Sequence, residues 1–164
     1  MSQATATEVV GKVIQVAGPA VDIQFLPEQI PVIYTAVRIT SEGFDVPEPI
    51  NIVVEIAQHI GEGRVRCIAI QPTDGLVRGM KAISTGAPIT VPVGKQTLGR
   101  VLNVLGEPVD QQGAVTTEKQ FPIHRAAPSF EEQATGQQMF ETGIKVIDLL
   151  EPYLRGGKIG LFGG

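Results

Sequence analysis

Residues 52–70 read IVVEIAQHIGEGRVRCIAI. Ile52, Val54 and Ile56 alternate with Val53, Glu55 and Ala57, the period of a strand with one buried face. Gly61-Glu62-Gly63 is a turn signal, and an apolar run follows it from Arg64 to Ile70. Together these predict a β-hairpin. Working outward, Val21, Ile23 and Phe25 predict another half-buried strand, with Asp22 and Gln24 on its open face. Gly18-Pro19 turns the chain just before it, and residues 9–16 read as a strand before that turn. Pro27 and Pro31 bracket a further turn, and residues 33–39 read as one more strand. Five or six short strands with close turn signals predict a small closed barrel, because closure removes exposed strand edges.

Composition agrees with a β-rich fold. The 164 residues include 19 Gly and 12 Pro, which sit singly or in pairs between apolar runs as punctuation. The apolar share of 43% suffices for a core, and the charged share of 18% argues against disorder. The net charge of −4, without a Lys/Arg cluster, argues against nucleic-acid binding. One cysteine, Cys67, excludes an internal disulfide and fits a reducing compartment. No apolar run approaches the ~20 residues of a membrane span. Residues 1–8 lack the basic head and apolar stretch of a secretory signal, and lack the arginines of an organellar presequence.

The pattern changes near residues 80–83. Charge does not mark the change, since residues 1–82 hold 6 basic and 9 acidic groups and residues 83–164 hold 7 and 8. Residues 71–86 read as a connector with a short strand or two, and residues 98–105 as a new apolar run closed by Gly106-Glu107-Pro108. Residues 111–128 read as irregular. In residues 141–154, Ile144, Ile147 and Leu150 have helical spacing, with Val146 and Leu149 widening the apolar face. Pro152 and Gly156-Gly157 end that helix. Residues 158–162 read as a strand buried on both faces, since they do not alternate. Gly163-Gly164 follow.

A strand followed by Gly-Gly is how a phosphate-binding loop, G-x-x-x-x-G-K-[ST], begins. Its glycines let successive backbone N–H groups curl around phosphate oxygens, and a helix N-terminus adds favourable partial charge. Gly163 fits the first glycine and Gly164 the next position. The lysine and hydroxyl residue of that pattern are not within residues 1–164.

The remaining candidates read as structural. His59 and His124 lack metal-ligand spacing. His124 beside Arg125 reads as a locally hydrogen-bonded loop pair, and Glu131-Glu132 as solvated acids rather than a catalytic dyad. Arg64 and Arg66 alternate on one strand and face solvent or a subunit neighbour. Arg78 and Arg100, each beside a glycine, read as structural hydrogen-bond donors, and Cys67 as a small core residue.

Five blocks then follow in order: Thr73-Asp74-Gly75-Leu76-Val77-Arg78-Gly79-Met80; the stretch Leu98-Gly99-Arg100-Val101-Leu102-Asn103-Val104-Leu105-Gly106-Glu107-Pro108-Val109-Asp110; Ile123-His124-Arg125-Ala126-Ala127-Pro128; Glu141-Thr142-Gly143-Ile144-Lys145-Val146-Ile147-Asp148-Leu149-Leu150; and Gly156-Gly157-Lys158-Ile159-Gly160-Leu161-Phe162-Gly163-Gly164. This order closely resembles the catalytic β subunits of F-type ATP synthases, from about residue 9 onward. The Gly-Leu-Phe-Gly-Gly ending resembles β more than the non-catalytic α subunit or the vacuolar-type relatives.

The resemblance implies a six-stranded N-terminal β-barrel, the crown domain, within residues 1–82. It implies the opening of an α/β RecA-like P-loop nucleotide-binding domain in residues 83–164. It further implies an alternating ring of three α and three β subunits around a central stalk γ subunit. ATP or ADP with Mg²⁺ would bind at the α/β interface, and rotation would couple ATP synthesis or hydrolysis to proton (or sodium) transport. Contact with the membrane would be indirect, on the cytoplasmic face of a bacterial plasma membrane or, for an organelle-encoded chain, at the thylakoid. Only Gly163 and Gly164 fall on the phosphate loop, as its start. No catalytic residue and no metal ligand is assigned within residues 1–164, so this stretch alone is expected to be inactive and not to bind nucleotide tightly. Two other readings stand beside it: a non-catalytic assembly module, and a related flagellar or type III export ATPase. Gly-Val-Gly-Lys-Thr within the ten residues after 164 would favour the ATP synthase.

Overall fold

Six strands carry out what the alternation predicts: Val10–Ala17 (β1), Ala20–Gln24 (β2), Thr35–Thr40 (β3), Asn51–Gly61 (β4), Arg64–Ala69 (β5) and Lys81–Pro88 (β6). In this computed structural model, which describes residues 9–133 and 136–164, they close into an antiparallel barrel in the order β1-β2-β5-β4-β3-β6. The reading of residues 1–8 lies outside the described residues. The chain divides into two compact units, Met1–Arg125 and Ala126–Gly164.

The β4–β5 hairpin turns through Gly61, Glu62 and Gly63, all at positive φ. Gly63 is required there. At φ +75° a Cβ would meet the Phe25 carbonyl oxygen at 2.5 Å and Gln24 Nε2 at 2.7 Å. Inward residues of every strand meet in one core, including Val13, Ile23, Val37, Ile56 and Cys67, with Met80 closing one end. Each fully buried Val or Ile there is worth about 1.5–3 kcal/mol of transfer free energy.

The β3 strand starts at Thr35 rather than at residue 33, because Tyr34 sits at φ +70° and breaks the extended backbone. The strand expected in the connector is the whole of β6. It pairs with β1 through Val10↔Ile83 and with β3 through Val37↔Ser84, so the closing strand continues past residue 82.

Beyond the barrel, Thr90–Val93 (β7) pairs antiparallel with Lys119–Pro122 (β8), a strand within a stretch expected to be irregular. The run at residues 98–105 is not a strand. It is a loop with one isolated bridge, Leu102↔Pro108. Asn103 builds its turn: Oδ1 accepts from the backbone N–H groups of Leu105 and Glu107. Side-chain acceptors of this kind compete with ladder pairing.

The second unit contains Met139–Phe140 (β9), Lys145–Leu150 (α1) and Tyr153–Leu154 (β10), with β9 and β10 paired antiparallel. The helix is shorter than the periodicity predicts. Its N-terminal end stops at a turn in which Thr142 and Gly143 donate to Asp148, and Gly143 has φ +79°. Residues 158–162 do not form the expected strand. A strand needs ladder partners, and no element of the second unit pairs with this segment; Leu161 and Phe162 are 80% and 99% exposed.

Candidate functional site

The sequence singles out Gly163 and Gly164 as the start of a phosphate loop. Both lie in exposed chain without regular structure, and no atom stands within 4 Å of a Cβ built on either. Backbone amides bind phosphate when a turn and a following helix aim them at one point; no described element does so here. Nearby, a hollow of about 520 Å³ is lined by Ile147, Tyr153, Leu161 and one residue of each charge, Glu151 and Lys158. That lining is mostly apolar and no cradle for a triphosphate. Among the described residues no group of three His, Cys, Asp or Glu stands together.

The chain's polar chemistry is concentrated in paired side chains of the first unit. Asp22 is only 5% exposed, although alternation aims it away from the core. Arg66 lies across from it in the β2–β5 register and covers it with two hydrogen bonds, Nε to Oδ1 at 2.8 Å and Nη2 to Oδ2 at 2.9 Å. The hydrogen bond from Arg66 holds the Asp22 carboxyl below its ordinary range against the opposing effect of burial; the charges of Arg66 and Arg64 help. Arg64 pairs with Glu62 at 2.9 Å. Both arginines do face outward, but Arg66 is committed to an intrachain partner. The sequence puts Asp22 and Arg66 at outward positions of their own strands; the register that sets them opposite each other comes from the barrel.

Arg100 makes a bidentate pair with Asp110, at 2.6 and 2.9 Å, and donates to the Gly113 carbonyl. The Arg100 hydrogen bond holds Asp110 well below the usual carboxylate range, helped by N–H groups of Val101 and Gln112. Arg100 is therefore the structural donor expected of it. Arg78 is exposed in the loop before Met80.

His124 reaches much further than its neighbours. Its Nε2 lies 2.8 and 3.0 Å from the two Glu55 carboxylate oxygens, and its ring stacks on Tyr34 with centroids 4.1 Å apart. Arg125 lies over the Phe121 ring at 4.2 Å. His59 Nε2 is 2.8 Å from the Pro31 carbonyl oxygen. Glu132 completes a capping box with Ser129, so Glu131-Glu132 is no dyad. Cys67 is fully buried, and burial followed by the nearby Asp22 charge pushes its thiol up to about 12.

The first unit thus holds a closed barrel and the β7–β8 pair, and its paired polar side chains meet within the unit. Residues 13–86 match the family model described as the ATP synthase alpha/beta family, beta-barrel domain. The match covers the barrel, and it makes that segment similar to the N-terminal barrels of this family.

Proposed function

We propose that the chain is the N-terminal part of a catalytic β-type subunit: a crown barrel followed by the opening of a RecA-like nucleotide-binding domain. The observation that carries this reading is a barrel that matches this family's model followed, in order, by the blocks from Leu98 to Asp110, from Glu141 to Leu150 and from Gly156 to Gly164. In it, α-type subunits alternate with this chain around a central stalk, ATP or ADP with Mg²⁺ binds at the subunit interface, and the complex sits peripherally on an energy-transducing membrane. Gly163 and Gly164 open the phosphate loop, and the groups that act on the phosphates are supplied from outside residues 1–164. No chemical step is assigned to this stretch.

Residues 1–164 alone therefore neither hydrolyse ATP nor bind Mg-ATP at micromolar strength. Calorimetric titration checks this; tight, Mg-dependent binding would overturn it. The assignment to β is checked by coexpressing the gene product with an α-type subunit and weighing the complex by native mass spectrometry. An alternating hexamer with ATPase activity supports it, and a homohexamer would favour an export-type ATPase. The assembly-module reading is favoured by one observation: the barrel is closed and fully cored, whereas Gly163 and Gly164 are exposed.

A further inference from the structure

The outer face of β1, β6 and β3 gathers cations. Lys12 stands opposite Lys81 across β1 and β6, and Lys81 stands opposite Thr40 across β6 and β3. The next outward row is Val10, Ile83 and Arg38. Gly11, Val13, Ile39 and Ala82 between them are buried, so parity sends the three cations outward. Two lysines directly opposite each other repel and cost the sheet stability. Among the described residues, Lys81 alone of the three has a carboxylate within ion-pair distance, Glu42 at a loose 3.7 Å. Neither Lys12 nor Arg38 takes part in an ion pair among the described residues. In a chain of net charge −4, this face is a local inversion of sign.

We propose that this face docks an acidic protein segment. Neighbouring strands lie about 4.8 Å apart and alternate residues about 7 Å apart. Three cations on three strands and two rows can each take a separate carboxylate of one extended acidic segment, more partners than a single small anion supplies. Val10, 38% exposed, and Ile83 give that segment a shallow apolar contact between the charges. Neither row contains an aromatic residue on which bases could stack. The barrel is closed, so recognition runs through side chains and not through an added strand. The inference stands on the barrel and is independent of the nucleotide reading.

The test is fluorescence anisotropy of the full chain with a labelled peptide, Glu-Leu-Glu-Leu-Glu, in low salt. The expected result is saturable binding that weakens about tenfold towards 0.2 M salt as charges are screened. Arg38→Glu and Lys12→Glu, each checked for an unchanged far-UV spectrum, should weaken it by about tenfold or more. Lys12→Gln should weaken binding while raising the melting temperature, because it removes the opposed pair; a merely structural lysine would not separate the two readouts in this direction. Absence of peptide binding, or binding indifferent to both reversals, overturns the proposal. So does cosedimentation with phosphatidylglycerol vesicles without peptide binding, or displacement of the peptide by millimolar inorganic phosphate.

Discussion

Gly11 should be one of the least replaceable residues of the barrel. It is buried on β1 opposite Ala82, and its φ is not in the left-handed region, so alanine meets no backbone strain there. The obstacle is space. A Cβ would sit 2.8 Å from the Gln24 carbonyl oxygen and 2.8 Å from both Cδ1 and Cε1 of Phe25. The carbonyl is held by the β1–β2 ladder, where Lys12 pairs with Gln24. The ring is 2% exposed, and the Phe25 N–H is tied to the Gly63 carbonyl at 2.8 Å. Neither neighbour can retreat freely, so overpacking should cost about 1–3 kcal/mol. Removing glycine's freedom from the unfolded chain returns about 0.4–1 kcal/mol. The net expectation for Gly11→Ala is about 1–2 kcal/mol of destabilisation, or roughly 5–15 °C in Tm for a domain of this size. Thermal melts followed by far-UV circular dichroism measure it. Phe25→Leu, which shortens the opposing side chain, should cost less in the Gly11→Ala background than in the parent, a coupling of about 0.5 kcal/mol or more. Gly18, at φ +58° in open space, should show no such coupling when replaced by alanine. A Gly11→Ala chain as stable as the parent, or strict additivity with Phe25→Leu, would refute the steric argument.

Three further outcomes are expected. Because the folded Asp22 carboxyl lies below its ordinary 3.8, its pair with Arg66 stabilises the fold above that value and is lost as pH falls through the lower, folded one. Asp22→Asn should therefore flatten the acid limb of stability, measured as urea midpoints from about pH 5 down to 2; an unchanged limb would show that the pair contributes nothing. Cys67, buried and with its thiol pushed up to about 12, should resist an aromatic disulfide reagent in the folded chain and react only at the rate of barrel unfolding. Hydrogen exchange should find the slowest amides in β2, β3 and β5 and fast exchange throughout residues 136–164; comparable protection in both regions would contradict the unequal burial of the two units.

Barrel strands were legible wherever one face is buried, because burial imposes a period of two. Val21, Ile23 and Phe25, and Ile52, Val54 and Ile56, announced themselves this way and are all buried. Residues 98–105 are an apolar run too, but there Asn103 captures the backbone locally and Arg100 locks the loop to Asp110. Composition does not report which acceptor the backbone takes. The long-range pairs were illegible for another reason. His124 and Glu55 are 69 positions apart, and Asp22 and Arg66 are 44 apart. Nothing local in either sequence stretch specifies the other, since the barrel's register sets the meeting. The phosphate-loop glycines present the opposite case: a pattern read from order alone, with no geometry formed around it in the described residues.

That contrast separates the two units energetically. The barrel buries thirteen apolar residues in one cluster and leaves no strand edge. The six-residue helix α1 has no buried residue, and Val146, Leu149 and Leu150 stand open to water. An isolated helix shorter than about 12–15 residues is marginal even with good propensity. The Thr142–Asp148 turn stabilises one end of α1 through polar contacts. Within the second unit, then, the free energy available to hold α1 falls short of the ordering cost of its residues. Stability measured on residues 1–164 should accordingly be the stability of the barrel. Leu149→Ala, at a position 79% exposed, should leave the melting temperature unchanged, whereas Ile56→Ala, fully buried, should cost about 2–5 kcal/mol. A Leu149→Ala effect as large as that of Ile56→Ala would mean that the helix face is covered in solution, and the division drawn between the units would fail.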